Sequence, residues 1–141
     1  MSNRVLICGL PNSGKTTYAK FLIELYEANN IPYIWLNGDK VRASFDDWDF
    51  SIEGRKRQTL RMKTLADAAL NIDVIIDYVC PLVEYRKIIN PTHLVFIDTQ
   101  DRTPYEDTKN IFEPVVGADV VVSSKSDLKS CAKRLFDQLK M

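Results

Sequence analysis

An α/β fold, with helices layered on both faces of a mostly parallel five-stranded sheet, is what this 141-residue sequence predicts. Three observations carry that prediction. Short apolar runs, mostly rich in valine and isoleucine, recur along the chain, as strands covered on both faces require. Helical patterns alternate with them. No repeat, low-complexity tract or linker breaks the alternation, so residues 1–141 read as one domain.

The predicted strands are Arg4–Cys8, Pro32–Leu36, Asp73–Tyr78, His93–Asp98 and Asp119–Val122. The predicted helices are Lys15–Asn29, Lys40–Phe45, Ser51–Asn71, Pro81–Ile89 and Ser126–Leu139, the last capped by Ser126 or Asp127. Gln100–Pro114 is polar, carries two prolines and has no strong periodicity. It reads equally as a mobile lid or as a plain surface loop.

Composition narrows the function classes. Lys+Arg and Asp+Glu both number 19, so the formal charge is zero. Broad nucleic-acid binding needs a basic footprint and is not expected. Cys8, Cys80 and Cys131 are an odd set without metal-ligand spacing, and two of them, in or beside apolar strands, read as small core residues. With no signal peptide or membrane-length apolar run, the expectation is a cytoplasmic protein without membrane contact. The oligomeric state is open, with a homodimer as one option.

The most informative segment is Gly9-Leu10-Pro11-Asn12-Ser13-Gly14-Lys15-Thr16, which fits G-x-x-x-x-G-K-[ST], the Walker A phosphate loop. A strand precedes it and a helix follows, which makes the expected fold a P-loop NTPase-type three-layer sandwich. Glycines let successive amides point at one anion, and the helix N-terminus adds partial positive charge there. The ATP-binding candidates are Gly9, Pro11, Asn12, Ser13, Gly14, Lys15, Thr16 and Thr17. Lys15 is placed for the β- and γ-phosphates, and the Thr16 hydroxyl for Mg²⁺.

Ligands of open α/β sheets collect at the carboxyl ends of the strands. That rule singles out Asp39 and Arg42 after the second strand, Asp77 after the third, and Asp98–Arg102 after the fourth. Asp39 can cap a helix or accept a proton from an attacking hydroxyl. Arg42 can grip an anion in two-pronged fashion. Asp77 has four readings: support for Mg²⁺, a second base, a substrate contact, or a cap of the following turn.

In the long helix, Met62, Leu65, Ala66 and Ala69 form an apolar stripe. Extended backwards at about 100° per residue, it brings Gln58 and Arg55 within roughly 40° of the stripe centre. Lys56, Arg57 and Lys63 fall on other faces. An inward guanidinium needs an anionic substrate or an internal carboxylate such as Asp39 or Asp77. Phe45, Trp48 and Phe50 read as packing, or as a stacking surface for a flat base. His93, the sole histidine, reads as structural.

With these segments assembled, the chain resembles adenylylsulfate kinases, which pass phosphate from ATP to the ribose 3′-hydroxyl of adenylylsulfate. Their D-G-D-x-[VIL]-R signature is similar to Asn37-Gly38-Asp39-Lys40-Val41-Arg42. Their F-S-x-x-D-R-x-x-N-x-R-R signature resembles Phe50-Ser51-Ile52-Glu53-Gly54-Arg55-Lys56-Arg57-Gln58-Thr59-Leu60-Arg61. Their S-P-Y-R-x-x-R resembles Cys80-Pro81-Leu82-Val83-Glu84-Tyr85-Arg86. The resemblance implies Lys15 and Asp39 as catalytic residues. It implies Asp39, Arg42, Phe50, Arg55, Gln58 and Arg86 around the substrate, and Lys109 and Phe112 as lid contacts. Thr16 and Asp77 are the Mg²⁺ candidates.

The resemblance covers roughly the first ninety residues by signature. The chain departs from the pattern at Asn37 and Gly54 (aspartates in the family), Gln58 (asparagine), Leu60 (arginine) and Asp77 (a small residue). The implied activity is an ATP-dependent kinase with small nucleotide substrates. The alternatives are another anionic nucleotide-like acceptor, a GTPase-like switch suggested by Ser124-Lys125-Ser126-Asp127, or an inactive binding module.

Overall fold

The computed structural model describes residues 2–99 and 106–139. Strands β1 (Arg4–Cys8), β2 (Tyr33–Asn37), β3 (Asp73–Asp77), β4 (His93–Ile97) and β5 (Val120–Val122) form one sheet. Helices are α1 (Lys15–Ala28), α2 (Gly38–Phe45), α3 (Ile52–Asp67), α4 (Val83–Ile89), α5 (Glu106–Ile111) and α6 (Leu128–Leu139). The strand order is β2-β3-β1-β4-β5, and every pairing is parallel. The chain leaves β1 for one side of the sheet and later crosses it to reach β4. The carboxyl end of β1 is therefore the switch point where ligands bind.

Period-two alternation splits β1–β4 between two cores, while β5 adds Val120 and Val122 to one of them and leaves Val121 exposed. Val5 and Ile7 pack with α1 and α6, against Tyr18, Leu22, Leu135 and Phe136. Leu6 and Cys8 face α3 and α4, against Met62, Ala66, Tyr85 and Ile89. These are the three layers that the alternation predicts. All three cysteines are buried and free. Among the described residues, no helix is long and apolar enough to cross a membrane.

The structure corrects several boundaries. Helix α2 starts at Gly38, because Asn37 rather than Asp39 is its cap: Asn37 Oδ1 accepts from the Lys40 amide at 3.0 Å. Before α6, residues Lys125–Asp127 form a 3₁₀ turn capped by Ser124, not by Ser126 or Asp127. Of Gln100–Pro114, residues 100–105 lie outside the described residues, and Glu106–Ile111 form α5. Six residues make fewer than two turns, too few for periodicity to reveal.

The buried stripe of α3 runs through Arg55, Thr59, Met62 and Ala66. Leu65, expected in that stripe, is exposed on its flank. Lys56 and Arg57 are exposed as expected, and Lys63 is half-buried.

One departure from the family pattern has a packing cause. A Cβ on Gly54 would overlap the Asp49 carbonyl and side chain. The loop before α3 folds tightly over the helix start, where Ser51 Oγ accepts from the Gly54 amide at 3.1 Å. Gly54→Ala is expected to lower stability by about 1–3 kcal/mol through overpacking, although alanine gains about 1 kcal/mol in an open helix. Urea unfolding checks this; unchanged or raised stability would contradict the packing.

Candidate active site

A cavity of about 1380 Å³ opens at the carboxyl end of the sheet. Pro11, Asn12, Gly14, Lys15, Thr16 and Thr17 line it from the phosphate loop. Gly14 has φ 112° and caps α1 without a side-chain hydrogen bond, so no side chain of the cap occupies the first-turn amides. Gly9 and Ser13 lie behind the lining. The Gly9 amide donates to the Val79 carbonyl, and the Ser13 carbonyl accepts from the Thr99 hydroxyl. Lys15 Nζ donates to the Leu10 carbonyl at 2.8 Å. Burial pulls the Lys15 ammonium down to about 8, against the opposing charges of the Asp77 and Asp39 carboxylates.

Asp77 sits beside Thr16. Strand register pairs Asn37 with Asp77, which puts an amide and a carboxylate on adjacent strand ends. Asp77 Oδ1 accepts from Asn37 Nδ2 at 2.8 Å and from Thr16 Oγ1 at 3.4 Å; Oδ2 accepts from Trp35 Nε1 at 2.6 Å. Burial pushes the Asp77 carboxyl up to about 6, against these bonds and the Lys15 charge. Asp77 faces the phosphate loop and does not cap the following turn.

A second group of lining residues comes from α2, α3 and the loop between them. It comprises Asp39, Arg42, Trp48, Phe50, Arg55 and Gln58, joined by Thr108 of α5. Asp39 is exposed, and its carboxylate makes no hydrogen bond or ion pair among the described residues. Arg42 is buried and has no carboxylate ion pair among the described residues; its Nη1 donates to the Asp47 and Asp49 carbonyls at 3.0 and 3.1 Å. Burial pulls its guanidinium below the ordinary range.

Arg42 stacks on Phe50 at 4.2 Å from the ring centroid, and Arg55 lies 5.5 Å from the same ring. Arg55 Nε donates to the Phe50 carbonyl at 2.7 Å, and Nη2 to Thr108 Oγ1 at 3.0 Å. Neither Asp39 nor Asp77 is its ion-pair partner. Gln58 Nε2 donates to the Gly38 carbonyl at 3.0 Å, tying α3 to the start of α2. Asp47 holds the loop from behind. Hydrogen bonds from Arg57 and Arg61 keep its carboxylate well below the usual range.

Three expected substrate contacts do not line the cavity. Arg86 is buried and held elsewhere: it donates to the carbonyls of Cys80, Pro81, Glu113 and Pro114. Phe112 stacks on Phe96 and under Arg86, and Lys109 is exposed away from the cavity. Arg86 thus clamps the chain after α5 onto the start of α4. Arg86→Ala is expected to cost about 2–4 kcal/mol, from buried carbonyls left unpaired by a charged donor. In a thermal melt with parallel kinetics, Tm should fall while substrate KM values hold at low temperature; a raised KM with unchanged Tm would return Arg86 to the site.

Sequence reading missed the roles of Trp35, Asn37 and Thr108. Trp35 and Asn37 are two apart on a strand, so they share a face; that spacing was the available signal. Thr108 had none, because its helix was not foreseen. Lys125 lines the cavity but Asp127 does not. A guanine-reading N-K-x-D site needs that aspartate on the base, so the switch reading loses its support.

The family model for adenylylsulphate kinase matches residues 1–134. The chain belongs to the adenylylsulphate kinase family. Family membership reaches well past the signatures, through α5 and β5 into α6.

Solved structures share the fold. The protein APE1195 aligns at TM-score 0.81 with 21% identity, covering 99% of this chain and 95% of that one. The Mycobacterium tuberculosis APS kinase CysC, in complex with AMPPNP and APS, aligns at 0.81 with 18% identity, covering 99% and 98%. A sugar kinase from Janibacter sp. HTCC2649 aligns at 0.74 with 15% identity, covering 99% and 95%. At these identities the likeness is one of fold. Family and fold together make the chain a nucleotide-binding P-loop kinase.

Proposed function

We propose that this kinase transfers the γ-phosphoryl group of ATP to the ribose 3′-hydroxyl of adenylylsulfate, giving 3′-phosphoadenylylsulfate. The observation that carries the reading is one cavity shared by the phosphate loop and by Arg42, Arg55 and Phe50. The Mycobacterium tuberculosis neighbour, described with both AMPPNP and APS, supports two such ligands in this fold.

In this reading Lys15 and the first amides of α1 hold the β- and γ-phosphates. The acceptor hydroxyl oxygen attacks the γ-phosphorus in line, the bond to the ADP oxygen breaks, and the hydroxyl proton passes to the Asp39 carboxylate. Arg42 and Arg55 fix the acceptor's anionic end; Phe50 and Trp48 offer aromatic surface to its base.

Thr16 Oγ1 and the Asp77 carboxylate would hold Mg²⁺, and their hard oxygens suit it. No cluster of three His, Cys, Asp or Glu exists among the described residues. That fits a cation bound largely by phosphate and water. When bound, it neutralises charge on the transferring phosphoryl group.

An ATP-consumption assay over a panel of acceptors tests the proposal. Adenylylsulfate should give the highest kcat/KM. The sugar-kinase neighbour makes a sugar a necessary member of the panel; turnover of a sugar or nucleoside monophosphate, without turnover of adenylylsulfate, would overturn the acceptor. ATP binding without transfer to any acceptor would leave an inactive binding module.

A further inference from the structure

We infer that Thr108 is a specificity-determining contact of the acceptor anion, completing the grip of Arg55; this rests on the anion site proposed above. Thr108 is 5% exposed, yet it belongs to the cavity wall. It reaches that wall from α5, opposite in sequence to every other acceptor-side residue.

Its hydroxyl has one proton to give and two lone pairs to accept with. Arg55 Nη2 uses one lone pair at 3.0 Å. A guanidinium has no acceptor, so Thr108 cannot return its proton to Arg55. Among the described residues nothing else takes that proton. A buried hydroxyl whose donor is unspent among the described residues, on a cavity wall and bonded to a cation, matches an anionic oxygen held by the same guanidinium. Phosphate and sulfate oxygens are acceptors only, so they complement this donor and reject a neutral donor group. The arrangement also orients Arg55, whose Nε is fixed by the Phe50 carbonyl at 2.7 Å. Backbone on one edge and hydroxyl on another define its plane.

Steady-state kinetics with adenylylsulfate on Thr108→Val and Thr108→Ser test this, alongside Arg55→Ala. Valine keeps the shape and removes the hydroxyl; serine keeps the hydroxyl. Thr108→Val should raise the acceptor KM about tenfold, the effect of one lost hydrogen bond to a charged group. kcat and the KM for ATP should stay close to those of the unchanged protein, while Tm falls by a few degrees because Arg55 Nη2 loses its buried acceptor. Thr108→Ser should restore the acceptor KM. An unchanged KM in Thr108→Val, or a serine variant no better than valine, would overturn the inference.

If Arg55→Ala raises the acceptor KM and Thr108→Val does not, only the Thr108 role falls. Direct calorimetric titration of the unchanged protein with adenylylsulfate, AMP and inorganic sulfate guards the other direction. Binding of none of them would reject the anion site and the Thr108 contact together.

Discussion

Asp39→Asn is expected to lower kcat by about 10²- to 10⁴-fold, the range removed with a general base. Both KM values should stay within about threefold, because the change acts on the transition state alone. Asparagine has the shape of aspartate but cannot take a proton near neutral pH. The structure makes the variant clean. Asn37, not Asp39, caps α2, and the Asp39 carboxylate makes no hydrogen bond or ion pair among the described residues. Fold stability should therefore move by no more than the roughly 0.3–1 kcal/mol that a first-turn charge contributes to a helix. Steady-state kinetics and a thermal melt on one preparation decide the matter. Unchanged turnover would remove Asp39 from the chemistry and leave it a helix-end charge.

Arg55→Ala is the second large effect. The acceptor KM should rise about 100-fold, while the KM for ATP changes by less than about threefold. Arg55 lines the cavity from α3, whereas the phosphate loop sits on the β1–α1 turn. Arg55→Lys should not rescue, since a point-like ammonium cannot reproduce a fixed two-edged guanidinium. Arg42→Ala should move the acceptor KM the same way. It should also cost stability, because Arg42 pins the Asp47 and Asp49 carbonyls. Equal rises in both KM values for Arg55→Ala would contradict a dedicated acceptor anion site.

Much of this was readable in the chain. Phosphate-loop spacing is local and chemically strict, so its strand, turn and helix followed directly. Arg55 and Gln58 emerged as inward-facing from periodicity alone, because a helix with one buried stripe leaves little choice of face. Arg86 shows where the reading fails. Its family position suggested a ligand contact, but four carbonyls claim it, two of them from a segment more than twenty-five residues away. Contacts of that separation leave no trace in spacing. Asp77 is an intermediate case: its strand-end place was legible, but its bonds to Trp35 and Asn37 depend on the β2–β3 register. Asn37 and Asp77 are best understood together, as an amide and a carboxylate facing Thr16 from neighbouring strands.

The central claim is that one cavity holds a phosphate donor and a second anionic nucleotide at once. Calorimetric titration of adenylylsulfate into protein saturated with MgAMPPNP tests it most directly. The expected result is one further site per chain, lost in Arg55→Ala, with AMPPNP still bound. Absence of a second site, or release of AMPPNP as adenylylsulfate binds, would contradict it.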